Sequence, residues 1–294
     1  MVTERSALSR LFNGLNVFVL IATMLLCLLP VWYTLSISLS DKAAAAAGRV
    51  FLLPEGFTFD SYRTIVNDGQ FLKSFFISVQ RVVYGSAISF IVVLLMAYPL
   101  SKTSREFRPR NTIMWLLIFV MLFNGGLVPW YLTMKLLGMI NSIWGLVLGG
   151  GLPVFNVILV MNYIRNMPKE LEESALIDGA GPWRILFGIL MPLAMPVLAT
   201  VLVFTIVYHW NEFFQGLVLM NKAERYPLQS YIRQVAVVID PTRMDEESVK
   251  RMSNLSNQTL NAAKIFISML PLLVIYPFLQ KYFVKGITLG SVKG

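Results

Sequence analysis

Residues 74–100 read SFFISVQRVVYGSAISFIVVLLMAYPL, an apolar run broken by a single charge, Arg81. A hydrocarbon core of about 30 Å is crossed by roughly 20 helical residues, so this run is long enough to span it. Comparable runs lie at about 15–39, 113–134, 142–164, 192–220 and 264–283, and together they predict six membrane-spanning helices. In lipid every backbone polar group must be satisfied internally, which leaves helices or a closed barrel. These runs are apolar throughout rather than alternating, so the expected class is an all-α membrane protein. Composition agrees: 294 residues that are 56% hydrophobic and 14% charged could not cover a soluble domain. With no internal repeat and no linker, residues 1–294 read as one integral domain.

The charges set the orientation. Arg5 and Arg10 precede the first run, and Lys102, Arg105, Arg108 and Arg110 face only Glu106 in the second connection. Arg165, Lys169 and Arg184 lie in the fourth connection, and Lys285 and Lys293 in the tail. Short basic loops stay in the cytoplasm, so both termini and residues 165–191 are expected inside, with 40–73 and the longer 221–263 loop outside. A net charge of +9 is then a matter of topology rather than nucleic-acid binding. The first run followed by "KAAAAAG" could be read as a signal peptide, but its apolar core exceeds 15 residues, so a retained span is expected.

Catalytic chemistry is missing. There is no G-x-x-x-x-G-K-[ST] phosphate loop, so no ATP hydrolysis by this chain, and no G-x-S-x-G nucleophile. One Cys and one His hold neither a disulfide framework nor a zinc site. The chain is expected not to be an enzyme and to bind no metal or cofactor.

Four features inside the runs need an assignment. Arg81, near the outer end of its span, is expected to snorkel to the headgroups rather than to form a buried ion pair. Lys135 is expected at the interface. "LGGG" at 148–151 marks close helix packing or a bend beside Pro153, with a transport hinge as the other reading. In "YHWNEFFQG", a helix starting near Pro192 would place Thr205, His209, Glu212 and Gly216 on one face at i, i+4, i+7, i+11. With Asn211 beside them, that face reads either as a polar contact between helices or subunits, or as the wall of a hydrophilic passage.

The most distinctive stretch is "ELEESALIDGAGPWRILFGILMP", acidic and small within an apolar chain. Pro168 suits a first helical turn, and Glu170, Glu172 and Glu173 fall at the positive end of the macrodipole. Leu171 and Ala175 share a face; Asp178-Gly179 stops the helix and Pro182 restarts one. The result is a short helix ending in Ser174, Ala175, Gly179 and Ala180, either an amphipathic surface loop or a docking helix.

"ESALIDG" followed nine residues later by "ILMP" resembles the E-A-A-x3-G-x9-I-x-L-P signature of permease subunits in binding-protein-dependent ABC importers. Glu173, Ser174, Ala175 and Gly179 occupy its first part, Ile189 and Pro192 its second; Ser174 and Met191 are mild departures. "WNEF" and the "GITLGSVKG" ending resemble the shorter permease of maltose-type carbohydrate importers, and "FNGGLVPWYLTMKLLGMINSIWGLVL" the branch that handles oligosaccharides and polysaccharide fragments, including alginate. The resemblance implies a type I importer architecture with residues 168–191 as the coupling helix in a groove of a cytosolic ABC ATPase dimer. Glu170, Leu171, Glu172, Glu173, Ser174, Ala175, Asp178, Gly179 and Ala180 would make that contact, the apolar and small face docking. It further implies a second permease, an extracytoplasmic solute-binding protein touching the 221–263 loop, ATP and Mg on the partner ATPase, a tail (286–294) near that ATPase, and a bacterial inner membrane. Acidic sugars would find Arg81 and Lys135 as cations. The alternative is an ion-coupled secondary transporter of a small polar solute, for which Glu212 is the one clear intramembrane acid.

Overall fold

Helices in this chain end where Gly, Pro or Asn interrupts an apolar run, and those interruptions shape the fold. The computed structural model describes residues 7–237 and 258–291, and among them every regular element is helical. Three helices are long and apolar enough to cross a membrane without a break. They are α1 (Ala7–Ser38), α4 (Gly69–Ser101) and the last helix, α13 (Gln258–Ser291). Pro30, Pro99, Pro271 and Pro277 lie inside them without ending them.

The third, fourth and fifth predicted spans are not single rods. Residues 113–134 belong to α5 (Arg110–Leu122) and α6 (Leu127–Leu136), which meet at 116°. Between them Gly126 takes φ +86°, ψ 170°, open to glycine alone, and its N–H donates to Asn124 Oδ1 at 2.9 Å. Residues 142–164 divide into α7 (Ile143–Leu148) and α8 (Val154–Arg165) at the "GGGLP" break, so the bend expected beside Pro153 is present. The fifth run starts earlier than Pro192: α10 (Pro182–Leu193, with a π-helical turn at Leu186–Leu190) bends by 81° into α11 (Met195–Asn211). A short α12 (Phe214–Leu219) follows it. Counting each bent pair as one span gives up to five membrane-length elements.

The described residues form two compact units. One runs to Gly69 and includes 235–237 and 258–270. In it, α2 (Lys42–Ala46) is capped by Asp41, whose side chain accepts from Ala43 N–H, and α3 (Asp60–Asn67) follows. Serines tie the end of α1 to the loop beyond it: Ser36 Oγ donates to the Leu52 carbonyl at 2.9 Å and Ser40 Oγ accepts from Glu55 N–H at 3.1 Å. Tyr62 bonds Ser38 at 2.7 Å, and Lys264 reaches Asp68 at 3.0 Å. Most of α1 before Trp32 presents large apolar side chains outward, as a lipid-facing helix does.

The other unit holds 70–234 and the chain from 271. Its core joins Val93, Leu94, Ala97 and Leu100 of α4, Val157, Val160, Met161 and Ile164 of α8, Ile185, Leu186 and Leu190 of α10, and Leu198 and Val201 of α11. Ala175 and Ala180 plug into the same core from α9 (Glu170–Ile177) and the turn after it. In lipid such side chains gain little from leaving their surroundings, so close packing holds these helices together. A second cluster joins Leu146, Leu219, Met220 and Tyr226.

Candidate functional site

Two places in the larger unit carry chemistry. The first is the acidic segment. Its α9 is eight residues long, with Glu170, Glu172 and Glu173 in its first turn, and it stops where Gly179 takes φ +74°. Gly179 N–H bonds the Leu176 carbonyl and Ala180 N–H the Ala175 carbonyl, which closes the last turn on the αL glycine. Pro182 then opens α10, as expected. The helix is bolted inward through Glu172, which pairs with Lys102 and accepts from Tyr98 OH at 3.3 Å, while the Lys102 ammonium sits 4.6 Å over the Tyr98 ring. Burial holds Lys102 below the usual ammonium value, while nearby Glu106 works the other way. Glu106 lies below the usual carboxylate range because it accepts from the Thr103 hydroxyl and the Thr103 N–H, both at 2.7 Å.

Which face of α9 points outward differs from the sequence expectation. Ala175 and Ala180 were expected on a small docking face; both are buried in the chain's own core. The exposed surface is instead Glu170, Leu171, Glu173, Ser174, Leu176, Ile177, Asp178 and Gly179. Ile177 is 87% exposed, an apolar side chain offered to something outside this chain.

The second place lies between α4, α7, α8 and α11. A cavity of about 460 Å³ is lined there by Ser89, Gly150, Phe155, Asn156, Phe204, Thr205, Tyr208 and His209, among others. Asn156 Nδ2 donates to Thr205 Oγ1 at 3.2 Å, and the hydroxyl returns its proton to the Val201 carbonyl at 2.8 Å. His209 is buried, packs its ring into the gap left by Gly85, and keeps Nδ1 without a partner among the described residues. Gly150 likewise makes room for the Tyr208 hydroxyl, so the "LGGG" stretch serves both the bend and a close approach.

Behind this cavity Arg81 corrects a second expectation. It does not snorkel: its side chain is fully buried. Its Nη2 lies 2.7 Å from Glu212 Oε2 and 2.6 Å from Gln215 Oε1, and its Nη1 donates to the Glu212 carbonyl at 2.8 Å. Glu212 Oε1 in turn accepts from Gln215 N–H at 3.0 Å, and Gln215 Nε2 donates to Tyr208 OH at 3.2 Å. The shared face predicted for Thr205, His209, Glu212 and Gly216 does not extend that far. Helix α11 stops at Asn211, and Glu212 is extended at ψ 119°. Thr205 and His209 therefore line the cavity, Glu212 seals Arg81, Asn211 is exposed, and Gly216 sits under Ser230 and Pro227. The break leaves carbonyls unpaired at the end of α11, and the guanidinium takes one of them. Lys135 is exposed in the last turn of α6. Asn156, Tyr208 and the two phenylalanines were not foreseen; the signal available was a lone Asn within an apolar run.

The fold is that of a helical membrane protein with an acidic, inward-bolted loop ahead of a broken polar helix. The chain belongs to the family of binding-protein-dependent transport system inner membrane components, whose profile it matches over residues 74–289. Among its relatives, Protein LplC of Bacillus subtilis (strain 168) is 38% identical over 285 residues, covering 97% of this chain and 96% of LplC. The polygalacturonan/rhamnogalacturonan transport system permease protein YtcP of the same organism is 36% identical over 286 residues, covering 97% and 99%. A chain in the crystal structure of a bacterial ABC transporter that imports the acidic polysaccharide alginate superposes with a TM-score of 0.84 at 34% identity, covering 95% of this chain and 98% of that one.

Proposed function

We propose that this chain is the shorter permease of an ATP-driven importer, moving oligosaccharides or polysaccharide fragments into a bacterial cytoplasm by alternating access. The observation that carries the reading is α9: a short acidic helix tied rigidly to the spans through Glu172, Ala175 and Ala180, yet presenting Leu176, Ile177 and Asp178 outward. A lever needs both properties, a stiff root and an exposed tip. In this reading a cytosolic ATPase dimer grips that tip with ATP and Mg bound to itself, a second permease completes the passage, and an extracytoplasmic binding protein delivers the sugar. Both termini lie in the cytoplasm of the inner membrane. Residues 238–257 of the outer loop proposed for binding-protein contact, and the last tail residues 292–294, lie outside the described residues. Ligand closure can shift the permease only by its differential affinity for the two states, so the ATP-bound dimer must favour the outward state by several kcal/mol.

Support for a carbohydrate cargo comes from the transport named for YtcP and from the alginate transporter's fold at 34% identity. Ion-coupled transport is not favoured: Glu212, the acid it would use, is held by Arg81 and Gln215 instead of facing the cavity. The test is uptake into right-side-out vesicles carrying the permease pair. Uptake that requires both the ATPase and internal ATP supports the proposal. Uptake driven by an ion gradient with no nucleotide present sinks it.

A further inference from the structure

The cavity of the larger unit has a lining that speaks to which part of a sugar it reads. Its polar groups are Ser89, Asn156, Thr205, Tyr208 and His209, and its apolar wall is Phe155 and Phe204, whose ring centroids lie 6.3 Å apart. Among the described residues, no Lys, Arg, Asp or Glu lines it. The buried Arg81, the nearest candidate for binding an acid, is already matched by Glu212 and Gln215, and Lys135 is exposed on α6. His209 lines the same cavity, 4% exposed, with Nδ1 unpartnered among the described residues.

A pyranose ring offers an apolar C–H face, which stacks on aromatic rings, and hydroxyls, which exchange hydrogen bonds with amides, hydroxyls and an imidazole. A uronate carboxylate asks for something else: a cation or several N–H donors, since a buried charge without a partner is strongly disfavoured. We infer that this chain's cavity is a glycosyl subsite that reads the ring face and hydroxyls and is indifferent to the acid group, Phe155 and Phe204 supplying the stacking wall, and Asn156, Thr205 and His209 the polar contacts. The inference rests on the importer reading above and sharpens it: if the cargo is acidic, its carboxylates are recognised by another chain. A volume of about 460 Å³ lies within the range of small-ligand sites.

The test uses the assembled importer in nanodiscs without nucleotide, titrated calorimetrically with a 1,4-linked galactose pentasaccharide and with the 1,4-linked galacturonate pentasaccharide. Phe204→Ala and Asn156→Ala are each expected to lower the affinity for every pentasaccharide the wild type binds by about ten-fold. Where both bind, the ratio of the two affinities stays within about two-fold, because neither side chain senses the charge. Phe204→Tyr keeps the stacking face and the affinity. Phe155 and Phe204 are both exposed on this chain, and size-exclusion chromatography of each variant complex confirms assembly. Unchanged affinities, a loss confined to the galacturonate, or a wild-type complex that binds neither sugar overturns the inference. Binding is read without turnover, so its failure is separate from failure of ATP-dependent uptake, which would remove the importer reading itself.

Discussion

At the scale of single residues, the Arg81–Glu212 pair is the most consequential feature. One fully buried guanidinium holds a carboxylate, an amide oxygen and a backbone carbonyl at a helix break. Removing one partner leaves an uncompensated charge, so Arg81→Ala is expected to destabilise the detergent-solubilised protein by about 3 kcal/mol. Arg81→Met combined with Glu212→Gln should recover a large part of that loss, and thermal unfolding of the single and double variants measures the coupling. Glu106 makes a smaller, pH-dependent contribution. Its folded pKa is held down by Thr103, so its stabilisation is present above the unfolded carboxylate value of about 4.3 and is lost as pH falls through the lower folded value. Glu106→Gln should therefore lower the melting temperature at pH 7 and leave it unchanged at the acid end. A difference that persists below both values would contradict the role given to Thr103. Arg81 also shows where residue-by-residue reading fails: its distance from the span's end was legible, but the partner lies 131 positions away in sequence.

Among elements, the breaks matter more than the helices. Apolar length announces a span, but the angle at a break depends on how two segments pack after the chain turns. Gly126 is the clearest case, since its φ and ψ lie where a Cβ is excluded. Gly126→Ala is expected to cost about 1–3 kcal/mol and to be read as a lower melting temperature, with Gly125→Ala, which lacks a positive φ, as the near-neutral comparison. The "FNGG" motif was on the page as a resemblance, and its turn chemistry could have been read directly from the glycine pair. The end of α11 at Asn211 could not, because no Pro or Gly marks it. There a buried guanidinium, contributed by α4, takes the place of the next helical turn.

For the whole molecule, the proposed function turns on the outward tip of α9. Ile177 touches nothing that would need it apolar, so Ile177→Glu should leave the permease folded and assembled while reducing its co-purification with the ATPase by at least ten-fold. Gly179→Arg should abolish uptake. Because φ +74° itself strains any side chain, Gly179→Asn is the control that keeps the αL turn and should retain most transport. If Gly179→Arg supports normal uptake, residues 168–191 are not the gripped segment.

Much of this protein is determined by the chain alone. Continuous apolar length dictates helices in lipid, basic connections predict their orientation, and the Glu173–Gly179–Pro192 spacing carries the family resemblance, because each of these is a local property of consecutive residues. The tertiary structure decided what local pattern leaves open: that Ala175 and Ala180 face inward, that Arg81 is neutralised rather than exposed, and that Asn156 and Phe204 meet across a cavity. Those outcomes depend on which distant helix supplies the neighbour, and in a membrane, where apolar faces meet lipid and protein on nearly equal terms, composition does not choose between them.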